Sequence, residues 1–178
     1  MRPPAEAARP LVLVTLGMDH HPFHRLMRWV DRWLAAGASE RVECLAQTGP
    51  AVKPAGAVCR EFLDYDELEE AMTQAVVVAC HAGPGTIMIC RAAGQRPVVV
   101  PRLAHLGEVV DNHQVRFARQ LAAEGIIELA EEEERFHALM DAAVDRGTVP
   151  EPPPPDGRLT DPIAKFDRLV TDLLVHPR

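Results

Sequence analysis

The sequence has 178 residues, of which 47% are apolar and 25% charged, and its net charge is −7. A chain of this size and composition makes one globular domain able to bury roughly 70% of its unfolded surface. The acidic balance argues against nucleic acid or anionic lipid as a partner of the surface as a whole.

The chain alternates strand and helix signals. Leu11 to Leu16 is a continuous β-rich apolar run, the pattern of a strand covered on both faces, and Gly17 ends it. That run is too short for a signal-peptide core or a membrane span, so no membrane crossing is expected. Pro22 opens a helix in which Phe23, Leu26, Met27, Val30, Trp33 and Leu34 share a face, and Gly37 stops it. Val42 to Ala46 and Val58 to Leu63 read as short strands. Asp66 to Gln74 is a helix, Val76 to Ala79 a buried strand, Thr86 to Ala93 a short helix and Val98 to Val100 a strand between two prolines. Val109 to Ala123 is read as the next helix and Ile126 to Leu129 as the last strand. This order predicts an α/β fold, a doubly wound parallel sheet with right-handed crossovers and ligands at the carboxyl ends of its strands.

Beyond the last strand, Glu131 to Asp145 reads as an amphipathic helix whose acidic start is a solvated first turn favoured by the helix dipole. Residues 1–147 are assigned to the sheet domain and residues 148–157, with five prolines, to a stiff linker. Residues 158–178 are assigned to a terminal helix with an apolar stripe that includes Ile163, Phe166 and Leu169. The cysteines, Cys44, Cys59, Cys80 and Cys90, fit no zinc spacing and read as reduced core thiols of a cytoplasmic protein.

The stretch that carries chemistry is Cys80-His81-Ala82-Gly83-Pro84-Gly85-Thr86, between a buried strand and a helix. Glycines there let the backbone approach a ligand closely, and the free amides of the helix start then point at it, which makes a diphosphate cradle. The same residues also suit a tight turn that only packs helix against strand. A second cluster is Asp19-His20-His21-Pro22-Phe23-His24. His20 and His24 are four apart beside Asp19, a spacing compatible with a metal, but a loop and helix start on the ligand edge is the reading adopted, with no metal.

Three segments together resemble a known family. His81-Ala82-Gly83-x-Gly85-Thr86-Ile87, then Gly94-x-x-Pro97-Val98-Val99-Val100-Pro101, then Glu108-x-x-Asp111-Asn112-His113-Gln114 with Gly125-Ile126, are similar to the C-terminal, donor-binding half of family-28 glycosyltransferases. The likeness runs from about Val12 to Ile127. In size and wording the chain resembles the small catalytic subunits of two-component exopolysaccharide or dolichol-type glycosyltransferases.

The resemblance implies a Rossmann-like domain, the C-terminal half of a GT-B glycosyltransferase, with a UDP-sugar as substrate and no cofactor. His81, Ala82, Gly83, Pro84, Gly85 and Thr86 would hold the diphosphate, Phe62 and Leu63 would meet the uracil, and Thr15 and Gly17 would close the other side. Glu108, Asp111, Asn112, His113 and Gln114 would bind the donor sugar hydroxyls. The implied reaction is inverting transfer of a sugar to a lipid-linked glycan in polysaccharide synthesis. In two-domain relatives the general base comes from the other domain, so here either a membrane-anchored, acceptor-binding partner subunit supplies it or His20 or His21 does. Such a partner would hold the chain at the inner face of the membrane. The sequence departs from the family at Ile89, where relatives carry an acidic residue for the ribose hydroxyls. That departure also suits a non-catalytic UDP-sugar-binding or scaffolding subunit. A nicotinamide-dependent oxidoreductase fits the fold, but Gly-x-Gly-x-x-Gly does not follow the first strand.

Overall fold

The computed structural model describes residues 9–151. Its centre is strand β1 (Leu11–Thr15), whose apolar run is buried because strands flank it on both sides and helices cover both faces. Five more strands follow: β2 (Glu43–Gln47), β3 (Val58–Arg60), β4 (Val77–His81), β5 (Val98–Val100) and β6 (Glu128–Leu129). Their order is β3-β2-β1-β4-β5-β6, and every pairing is parallel. The chain runs outward from β1 to β3 and then returns to β1's other side with β4. The strand order therefore reverses between β1 and β4, where an open parallel sheet leaves a crevice at its carboxyl edge.

Alternation along β1 assigns its side chains to two layers. Val12 and Val14 pack with helix α1 (His24–Trp33) and helix α6 (Glu133–Arg146), through Leu26, Val30, Phe136 and Met140. Leu13 faces the opposite layer, with Met72 of helix α3 (Tyr65–Gln74) and Cys90 of helix α4 (Pro84–Ala92). On that side too, helix α5 (His113–Ala123) lays Phe117, Ala118 and Leu121 against Cys80 and Val99. The expected doubly wound architecture is the one observed. All four cysteines are free, and Cys44, Cys80 and Cys90 are buried.

Several boundaries differ from the sequence reading, each for a local reason. The helical segment from His24 does break at Gly37, where φ is +118°, but a short helix α2 (Ser39–Arg41) follows the kink. Helix α3 starts one residue before the predicted Asp66 because Asp64 and Glu67 form a reciprocal capping box. The strand placed at Val58 to Leu63 ends at Arg60, and β4 extends two residues past Ala79 to include His81. The helix expected from Val109 begins only at His113, since residues 101–112 form a hydrogen-bonded loop with a single 3₁₀ turn at Ala104–Leu106.

The acidic run before α6 is not simply solvated. Glu133 takes both Nε and Nη2 of Arg32, and Glu131 pairs with Arg119. With Trp33 donating to Asp141, the pairs made by α6 fasten it to α1. Most of the predicted linker, and the whole predicted terminal helix, lie outside the described residues.

Candidate functional site

The crevice between β1 and β4 holds a pocket of about 430 Å³. Of the residues proposed from sequence for the donor, it gathers Gly17, Phe62, Leu63, His81, Gly83, Pro84, Gly85 and Thr86. Five others complete the lining: Met18, Gln47, Tyr65, Leu68 and Ile89.

One end of this pocket is a helix start. Gly83 is the N-cap of α4, Pro84 is its first residue and no side chain caps it. Proline has no N–H, so the orphan amides of this terminus are those of Gly85 and Thr86, with the positive end of the helix dipole behind them. The glycines do different work. A Cβ at Gly17 would lie 2.4 Å from Cε1 of His81, and one at Gly83 would lie 2.1 Å from its Nε2. These two glycines make room for the imidazole, and Gly17 also sits at φ +71°, where L side chains are strained. At Gly85 a Cβ would meet nothing within 4 Å. The space beside the helix start is therefore open.

His81 is the last residue of β4 rather than part of the turn, and its ring is buried between the two glycines. Its Nδ1 has no hydrogen-bond partner. Burial first, and then the charge of Arg102, push its pKa down to about 4. The ring is neutral at pH 7.

The wall contributed by β1 and β2 is held by Thr15, which does not itself line the pocket, and by Gln47, which does. Thr15 is buried; its hydroxyl accepts from the Gly17 amide (3.3 Å) and donates to Oε1 of Gln47 (3.4 Å). Gln47 in turn donates from Nε2 to the Gly17 carbonyl (3.0 Å). Thr15 is thus a positioning residue for the Gly17 turn, and Ala82 is fully buried behind the glycines.

Neither the histidine cluster nor the cluster from 108 to 114 lines this pocket. Glu108 is buried, and its carboxylate receives Nε and Nη2 of Arg25 (3.0 and 2.8 Å) and the Leu103 amide (2.9 Å). Expected from sequence to meet sugar hydroxyls, Glu108 in this structure anchors α1 to the loop after β5. Asn112 accepts from the Ala104 amide, and Gln114 from the Arg102 amide. Asp111 accepts from the His113 amide (2.8 Å) and pairs with its ring; both side chains remain exposed. Of the five residues in this cluster, Asp111, Asn112 and His113 are exposed.

Arg102, missed in the sequence, binds the two loops together. Its side chain is fully buried, with Nη1 donating to the carbonyls of His21 (2.7 Å) and Glu108 (2.9 Å) and Nη2 to that of Leu16 (3.0 Å). Its guanidinium also lies 4.8 Å from the centre of the Phe23 ring. A lone arginine at the end of a wholly apolar strand was the available signal. Gln47, a polar residue closing β2, gave a similar one.

The loop after β1 also carries Asp19, His20 and His21, whose ligand atoms lie within 4.8 Å of one another and could hold a metal ion. His24, the partner suggested by spacing, is not in that group; its Nδ1 accepts from the Val52 amide. The Asp19 carboxylate accepts from the His21 amide (2.8 Å) and faces Nδ1 of His21 (2.7 Å). Burial works to raise the Asp19 pKa, but the His21 bonds and the Arg102 charge outweigh it and hold the carboxyl below its usual range. The side chain of His20 is 88% exposed.

The order of elements, the crevice and the glycine turn agree with a comparison against known families. A family model described as the glycosyltransferase family 28 C-terminal domain matches residues 11–153. The chain belongs to that family. No curated protein matches the sequence. Among solved structures similar to this family 28 chain is the glycotransferase of kitacinnamycin, with TM-score 0.60 and 17% identity over 97% of this chain and 41% of that one. The solution structure of ALG13 has TM-score 0.55 and 14% identity over 88% of this chain and 94% of that one. MurG of Acinetobacter baumannii has TM-score 0.52 and 17% identity over 94% of this chain and 55% of that one. The chain thus spans about two fifths of the length of the first of these and just over half of the last. At these identities the likeness is one of fold.

The neutral state of His81 has a consequence for stability. An unfolded chain protonates this histidine near pH 6.5, whereas the folded one does so only near 4. Its contribution is therefore complete above pH 6.5 and is lost as pH falls toward 4, by roughly 3 kcal/mol. Denaturant midpoints measured between pH 7 and 4 should fall accordingly in the native sequence and fall less steeply in His81→Asn. Equal slopes in the two proteins would show that His81 is not held neutral.

Proposed function

We propose that the chain is the donor-binding, catalytic subunit of an inverting glycosyltransferase that takes a UDP-sugar and transfers its sugar to a lipid-linked glycan. The observation that carries this reading is the pocket at the sheet's reversal point, with uncapped helix amides at one end and an apolar wall at the other. The amides of Gly85 and Thr86 would take the diphosphate, and Phe62, Leu63 and Leu68 would take the base. Family membership supports sugar transfer as the reaction class. As the bond from the anomeric carbon to the diphosphate breaks, negative charge grows on the leaving UDP, and the helix terminus stabilises it in place.

The acceptor side is assigned to a membrane-anchored partner subunit, which would place the chain at the inner face of the membrane. The likeness in fold and length to ALG13 supports a small, single-domain form of this architecture. No helix among the described residues is long and apolar enough to cross a membrane. The predicted terminal helix is the candidate contact with that partner, and the partner is assigned the general base.

A specific observation favours a second reading for the base. Asp19 on Nδ1 of His21 would fix the imidazole tautomer and leave Nε2 to accept the acceptor hydroxyl's proton.

Two variants test these assignments. Gly85→Val places a branched side chain at the helix terminus, at a position where an added Cβ meets nothing within 4 Å. It should weaken UDP binding at least tenfold by calorimetry while leaving the far-ultraviolet spectrum and the denaturation midpoint close to those of the native chain. Unchanged affinity would remove the turn from the nucleotide site. In the reconstituted two-subunit enzyme, His21→Ala should leave turnover within a few fold if the base is the partner's. A loss of a hundredfold or more with UDP affinity intact would assign the base to His21.

A further inference from the structure

The pocket presents an isoleucine, Ile89, one helical turn beyond the amides at the start of α4, and this sets which pentose it favours. We infer that the site does not read the ribose 2′-hydroxyl, so that 2′-deoxyribonucleoside diphosphate sugars, the thymidine diphosphate class among them, are donors on an equal footing with UDP-sugars. This inference rests on the nucleotide-site reading above and specifies its substrate class.

Placement follows from the helix itself. With a diphosphate on the amides of Gly85 and Thr86, the attached pentose comes next along the pocket. Ile89 lies three residues past Thr86, about 4.5 Å along the axis of α4, and it lines the same pocket. The half-buried Ile89 side chain also packs into the cluster that holds Leu13 and Met72, so it is fixed rather than free to swing aside. Leu63 and Leu68 continue the apolar wall.

Among the described residues, no carboxylate lines this pocket. The side-chain amide of Gln47 gives one bond to the Gly17 carbonyl and takes one from Thr15, and the hydroxyl-bearing side chains of the lining, Tyr65 and Thr86, are on other positions than Ile89. A hydroxyl pressed against isoleucine exchanges its water for nothing, which costs free energy instead of contributing it. A site built to hold a substrate hydroxyl rejects the analogue lacking it strongly, whereas an apolar wall discriminates weakly in either direction. The wall at Ile89 is of the second kind. Thymine's methyl group is likewise compatible with a base site made of Phe62, Leu63 and Leu68.

Calorimetric titration of the full chain with UDP, 2′-deoxy-UDP and dTDP tests the inference. Both deoxy nucleotides should bind within threefold of UDP, or more tightly. A preference for UDP over 2′-deoxy-UDP larger than threefold would overturn it. Ile89→Gln supplies a hydrogen-bonding group at the proposed pentose contact and should move the ratio toward UDP by fivefold or more. Ile89→Thr, closer in shape, provides the same comparison should the glutamine variant fold poorly. An unchanged ratio in a folded variant would remove Ile89 from the pentose contact and overturn the placement. Failure of all three nucleotides to bind the native chain would instead refute the nucleotide site itself.

Discussion

The ligand edge of this protein depends on a guanidinium buried where a chain of this size seldom places one. Arg102 follows β5 with no exposed surface, and taking its charge out of water is costly unless other groups replace the water. Three main-chain carbonyls do so, those of Leu16, His21 and Glu108, and the Phe23 ring lies against it. Those carbonyls belong to the loops after β1 and β5. One side chain therefore fixes the relative position of two loops far apart in sequence, and the paired Arg25 and Glu108 side chains repeat the tie.

The same charge reaches the site electrostatically. Together with burial it keeps His81 neutral, so the ring wedged between Gly17 and Gly83 adds no charge of its own beneath the helix terminus. In this arrangement the strand end supplies a neutral, shape-filling support, while the start of α4 supplies the field for an anion. The Thr15, Gln47 and Gly17 hydrogen bonds hold the facing wall. Polar groups thus spend their hydrogen bonds on loop geometry, and main-chain amides remain for the ligand.

This division explains what the sequence disclosed and what it hid. Strands β1, β4 and β5 were legible because burial on both faces writes them as unbroken apolar runs, and the glycine turn was located by its position after such a run, although the same residues also suited a turn that only packs helix against strand. Phe62 and Leu63 were placed at the pocket by the family resemblance rather than by local pattern, and both line it. Arg102 and Gln47 could not be placed, since their roles lie in contacts with residues tens of positions away, and a polar residue at a strand end looks locally like the start of any loop. Val109 and Val110 suggested an earlier helix, yet Val110 is 82% exposed, and the segment is held instead by Asn112, Gln114 and Arg102. Glu108 was marked by the family resemblance, but its bond to Arg25 on α1 could not be read from local sequence.

The central claim is that the crevice between β1 and β4, preorganised through Arg102, is the nucleotide site. A titration of the isotopically labelled chain with UDP, followed amide by amide in nuclear magnetic resonance spectra, addresses it most directly. The account predicts saturable shifts that concentrate at Gly17 and Met18, from Leu63 to Leu68, and from Gly83 to Ile89. Shifts centred instead on the opposite edge of the sheet, where Arg96, Glu128 and Arg146 line a second pocket, would contradict it.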